Sequence, residues 1–246
     1  MAQQLKVDVS SAVLSYRPAA GEDRSLPLTR VETSALYRAS PWRTFRWYYG
    51  QKHYSGTYWS ATMNDHVIYE SRLELETLLL ADFDPAVSRI VAQPFMLQAD
   101  VDGQMRRHTP DYLFETAEGP VVVDVVRAAR LSNPRILQLC SWTEHLANAQ
   151  AWVYKTASET PPPLLANVRF LAGYRRSRYI NECIASEMRS NKDSLVGLPI
   201  MHAEQKFQTN PRPLVRAALL HLLWRQELLV DVSQLLRPTT IIEGAR

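Results

Sequence analysis

A mixed α/β layer fold, with a sheet flanked by helices and a smaller C-terminal helical or winged-helix-like module, is the class that this 246-residue sequence predicts. Three observations predict it. A helical pattern over residues 66–80 is followed by several short apolar runs, the last of them the Val-rich 121–126. A second helical pattern over 134–149 leads to one more strand at 151–154. The stretch ETPPPLL at 159–165 then separates this alternation from a helix-rich remainder. At 46% hydrophobic and 22% charged residues, the chain can bury a full core and does not read as disordered.

Taken in order, residues 1–40 are weakly patterned and read as an N-terminal lead-in, with PAAGEDRSLPL as a loop. A first domain runs over 41–160. It opens on PWRTFRWYYGQKHYSGTYWS, whose aromatics alternate with basic and polar residues around a Gly-Gln-Lys-His break, as in a two-stranded ribbon. Its aromatics either stack on bases or pack on the core, and Arg43, Arg46 and Lys52 are candidate phosphate contacts. Between His66 and Leu80, the apolar Val67, Leu73, Leu78, Leu79 and Leu80 stand among Glu70, Glu74 and Glu76, which predicts a helix with one buried side. Glu70 and Glu74, four apart, share a face of it. Pro85 ends it. Strands follow near 87–91 and 95–101, then a turn at Asp102-Gly103, a strand over 112–115, a turn at Glu118-Gly119 and the 121–126 strand. That strand is apolar on both faces apart from Asp124, as a strand covered on both sides should be. In the C-terminal domain, 161–246, helices are predicted over 181–188 and 213–226, then a short strand at 228–232 with TTII at 239–242 as its return.

No run reaches the ~18 apolar residues of a membrane span, and the N-terminus lacks the layout of a signal peptide, so a cytoplasmic protein is expected. Cys140 and Cys183 are far apart, with no CxxC, and indicate neither a disulfide framework nor a zinc site. The net charge of +3 is mild, but only Lys6, Lys52, Lys155, Lys192 and Lys206 are lysines among 28 basic residues. Arginine's planar fork suits phosphate oxygens. The clusters Arg106/Arg107, Arg127/Arg130/Arg135 and Arg175/Arg176/Arg178 are either a phosphate track or solvated faces.

The carboxylates carry the chemistry. A charge inside a Val-rich strand costs several kcal/mol unless it is paired or metal-bound, which singles out Asp124. Asp111 closes a Pro-Asp pair at a strand start, and Glu74 lies on the preceding helix. Glu74, Asp111 and Asp124 together form a carboxylate set suited to Mg²⁺, with Mn²⁺ as substitute, and hence to phosphodiester cleavage.

The run YESRLELETLLLADFDPAVSRIVAQPFML, with TPDYLF and VVVDVV after it, resembles the TnsA-like transposon endonucleases, a branch of the restriction-endonuclease-like fold with a PD-(D/E)xK site. The likeness covers roughly residues 43–155, and more loosely the C-terminal part. It implies catalytic and metal-binding roles for Glu74, Asp111 and Asp124. The family's lysine falls on Val126; Arg127 cannot serve as a base, and Lys155, at the end of the next strand, is the substitute. The resemblance further implies binding of double-stranded DNA, a partner transposase of the RNase H-like class, cleavage at the 5′ ends of a mobile element and an AAA+ regulator. Because Val126 replaces the lysine, a catalytically inactive pseudonuclease that scaffolds the transposase is the alternative, and a defence nuclease a third reading.

Overall fold

The computed structural model describes residues 5–43 and 54–246. Two compact units result, one of residues up to Asp82 with Ala86–Glu159, the other of Phe83–Pro85 with Thr160–Arg246. The first forty residues are not a separate lead-in. They open with β1 (Val7–Pro18), whose alternate residues Ala12, Leu14 and Tyr16 are buried, as one face of a strand on a core must be. β2 (Arg24–Pro27), the single-turn α1 (Thr33–Leu36) and β3 (Ala39–Ser40) follow.

The ribbon falls later than the sequence suggests: β4 (Gly56–Ser60) pairs with β5 (Asp65–Tyr69), and residues 44–53 lie outside the described residues. Asn64, at φ 49°, turns the chain between the two strands. The helix expected from His66 therefore starts at α2 (Arg72–Phe83). Ser71 sets that start, its hydroxyl accepting from the Glu74 N–H at 3.1 Å in the manner of an N-cap. Glu70 thus precedes the helix instead of sharing its face with Glu74.

The rest of the first unit is β6 (Val87–Ala92), β7 (Met96–Val101), β8 (Gln104–His108), β9 (Tyr112–Thr116), β10 (Gly119–Val125), α3 (Pro134–Ala149) and β11 (Val153–Ala157). Asp102 and Gly103, both at positive φ (54° and 76°), close the β7–β8 hairpin. The two strands lead into different sheets from their neighbours in sequence. One sheet has the order β2-β1-β7-β8, with β3 on the end of β1. The other has the order β11-β10-β9-β6, with only the β10–β11 pair parallel. A parallel pair needs a crossover, and α3 supplies it. The mixed sheet is thus assembled in the order helix, three antiparallel strands, helix, parallel strand, with the β7–β8 hairpin inserted after its first strand. Leu14, Leu97, Leu113, Val122, Trp142 and Leu146 belong to one core cluster that joins both sheets and α3.

In the second unit lie α4 (Pro162–Leu171), α5 (Glu182–Ser190), α6 (Ile200–Gln205), α7 (Arg212–Trp224), β12 (Leu228–Leu229) and β13 (Gly244–Ala245). Along α7, the buried Val215, Ala218, Leu219, Leu222 and Leu223 recur at helical spacing. β12 pairs with β13, not with the expected return at 239–242, where Ile241 makes a single bridge to Pro199. Each of those strands is two residues long.

Candidate functional site

Three carboxylates meet at the start of α2 and the start of β9. The Glu70 N–H donates to Glu74 Oε2 at 2.7 Å, which satisfies one of the free amides ahead of the helix. Gln93 binds this corner together with all four of its polar groups. Its Nε2 donates to Glu70 Oε1 (2.7 Å) and its Oε1 accepts from the Arg43 N–H (3.0 Å). Its backbone N–H donates to the Asp111 carbonyl (2.8 Å) and its carbonyl accepts from the Trp42 N–H (2.9 Å). To do this it holds φ at 45°, a strained value for a residue with a side chain.

The Asp111 carboxyl receives one hydrogen bond, from the Val125 N–H at 2.6 Å. Burial, only partly offset by that bond and reinforced by repulsion from Asp124, Glu74 and Glu70, pushes its pKa up to about 8. Burial likewise raises Glu74, opposed by hydrogen bonding with Glu70 and Ser71 and aided by the Glu70 charge. Arg43 Nη1, 3.8 Å from Glu70 Oε2, is the cation at this corner among the described residues. Asp111 Oδ1 accepts no hydrogen bond from the described residues. Two half-buried carboxylates that repel one another fit a hard divalent cation such as Mg²⁺, for which one or two carboxylates suffice.

Asp124 has other company. Its oxygens lie 2.9 and 2.8 Å from His108 Nε2, and Oδ2 accepts from the Tyr154 hydroxyl at 2.7 Å. Its residue exposure is 3%, and the His108 ring is edge-on to Trp142. Tyr154 is held well above the usual phenol range, first by burial and then by the Asp124 charge. Register explains the orientation. Tyr154 is paired with Val122 in the parallel ladder and Asp124 with Thr156, so Val122, Asp124 and Tyr154 share one face. Val121, Val123 and Lys155 share the other. The expected three-carboxylate ligand set is therefore not assembled: among the described residues no three His, Cys, Asp or Glu side chains form a metal-binding group.

The remaining predicted residues are dispersed. Lys155 is exposed, in register with Val123, and makes no ion pair among the described residues. Arg106 and Arg107 lie on β8, and Arg127 and Arg130 are exposed in the turn after β10. Arg175, Arg176 and Arg178 belong to the second unit, where Arg175 donates to the Ala172 carbonyl and Arg178 stacks on Tyr179. Arg46 and Lys52 lie outside the described residues. Sequence reasoning missed Gln93, His108 and Tyr154. His108 stands two residues ahead of the Pro110-Asp111 pair, but nothing in its spacing announces a partner 16 residues on. No protein-family model matches the chain, and no curated protein sequence matches it.

Proposed function

We propose that the chain is a metal-dependent DNA endonuclease subunit of the restriction-endonuclease-like class, cutting the 5′ ends of a mobile element alongside an RNase H-like transposase and an AAA+ regulator. One observation carries the reading. Within a helix, three-strand, helix, strand order, Glu74 on the first helix and Asp111 at the start of the second strand are half-buried close enough to repel one another, with desolvation raising both. A Mg²⁺ ion held by Glu74 and Asp111 supplies charge stabilisation at the scissile phosphate and a more acidic water. Gln93 and Arg43 fix Glu70 behind them and so orient Glu74 through the Glu70 N–H.

The experiment is nicking of supercoiled DNA by the purified chain in Mg²⁺ and Mn²⁺, alone and with the neighbouring-gene product. Asp111→Asn should lower the rate by about 10²-fold or more, the scale of losing one group that stabilises transition-state charge. Equal cutting by wild type and Asp111→Asn ends the proposal.

A specific observation favours a second reading, the inactive DNA-binding scaffold. Val126 occupies the lysine position, and Asp124 is already engaged by His108 and Tyr154. No cutting under any of these conditions, with DNA binding intact, selects that reading.

A further inference from the structure

Between β8 and the first turns of α3 lies an open cavity of about 480 Å³, lined by Arg106, Arg107, Arg135, Gln138, Leu139 and Trp142. Its electrostatics are one-sided. Arg106 Nη2 donates to Gln104 Oε1 and Arg107 Nε to Gln98 Oε1, both neutral acceptors, and none of the three arginines is paired with a carboxylate among the described residues. Arg135 is the second residue of a 16-residue helix, so its charge sits at the positive end of the helix dipole, where a cation is disfavoured. The neighbouring carboxylate, Asp124, is taken up by His108 and Tyr154 and forms no ion pair with these arginines. Arg106, on the same face of β8 as His108, and Arg135 at the helix N-terminal end repel each other until an anion enters, while Arg107, next along the strand, turns its guanidinium to the other face beside Gln98. Guanidinium forks with an amide beside them match the oxygens of a phosphate.

We infer that this cavity is a phosphate-binding site, and that it grips backbone phosphates of a DNA strand. The choice of polymer rests on the nuclease reading above; the phosphate chemistry does not. Trp142 is 2% exposed, so it forms a wall and offers no face on which a base can stack. The site therefore reads the backbone and is indifferent to sequence. It is lined by none of Glu70, Glu74 and Asp111, so its grip on a phosphate does not require the metal.

The test uses the full chain in EDTA with two labelled 20-base-pair duplexes of unrelated sequence, followed by anisotropy across a salt series. Arg135→Gln and Arg106→Gln keep hydrogen-bonding capacity and remove charge; circular dichroism checks that both fold. Each should weaken both duplexes by about tenfold or more and flatten the log–log salt dependence by roughly 0.9 for every phosphate no longer neutralised. In parallel, inorganic pyrophosphate should raise the melting temperature of wild type and not that of Arg135→Gln. Duplex affinity and slope unchanged in both variants overturn the site and leave the nuclease reading standing. No duplex binding by wild type, with pyrophosphate stabilisation that Arg135→Gln abolishes, keeps the phosphate site and overturns the DNA reading. An absence of both duplex and pyrophosphate binding overturns the site outright.

Discussion

Three aspartates of the first unit, Asp82 and Asp124 buried and Asp111 half-buried, differ in how many donors face them, and that difference separates structure from chemistry. Asp82 receives four hydrogen bonds, from Tyr58 and Ser60 hydroxyls and from the Ala61 and Thr62 amides, at 2.6–3.0 Å. Asp124 has His108 and Tyr154, and among the described residues Asp111 has the Val125 amide alone. Asp111 is thus the group whose buried charge is least compensated, and its pKa of about 8 follows. A carboxyl raised in the folded state holds a proton that the unfolded chain has released, so its contribution to stability is complete below the ordinary carboxylate pKa and lost as pH rises through about 8. Metal-free protein should therefore lose stability between about pH 4 and 8, and Asp111→Asn should flatten that slope in denaturant titrations followed at several pH values. Protons and metal compete for the same oxygens, so Mn²⁺ affinity by calorimetry should rise over the same window. At Asp124 the expectation is opposite in kind. His108→Ala leaves a buried carboxylate with one donor and should destabilise by about 3–5 kcal/mol in urea. Tyr154→Phe should remove about 1.5–3 kcal/mol.

At the scale of elements, Asp82 ties the turn of the β4–β5 ribbon to the last turn of α2, and the ribbon has no other sheet to lie in among the described residues. An isolated two-stranded ribbon is marginal in water, so its order depends on that anchor. Asp82→Ala strands buried Tyr58 and Ser60 hydroxyls and should cost about 3 kcal/mol or more, with amide exchange accelerating first over Gly56–Tyr69. The same elements mark what can be read from residues alone. The α3 boundaries are legible because Asn133 caps, Pro134 fills the first position and Trp142 and Leu146 keep helical spacing. The start of α2 is not, because Val67 and Leu73 fit a helical period equally well on a strand followed by a helix. β8, QMRRH, has no apolar alternation to announce it; it is a strand because β7 and the Asp102-Gly103 turn make it one. Of the site, Glu74 and Asp111 are legible from local chemistry. Which way Asp124 points is not, since it depends on the parallel register with β11, which brings in Tyr154 from 30 residues on.

At the scale of the molecule, β1 has β2 on one edge and β7 on the other and places Ala12, Leu14 and Tyr16 in the shared core. A deletion of residues 1–27 is consequently not the loss of a tail. It bares an edge of β7 together with the apolar face opposite α3, and the product should be found in the insoluble fraction, or bind a hydrophobic dye if soluble. The pairing of β1 with β7 also imposes an order in time. Between Pro18 and Val101 the ribosome must add 83 residues (101 − 18), which at ~5–20 residues per second takes roughly 4–17 s. For that interval the nascent chain has only β2, four residues long, and the two-residue β3 to pair with the first strand. The hydrophobic side of β1 is then the stretch on which a chaperone or a neighbouring nascent chain would first take hold.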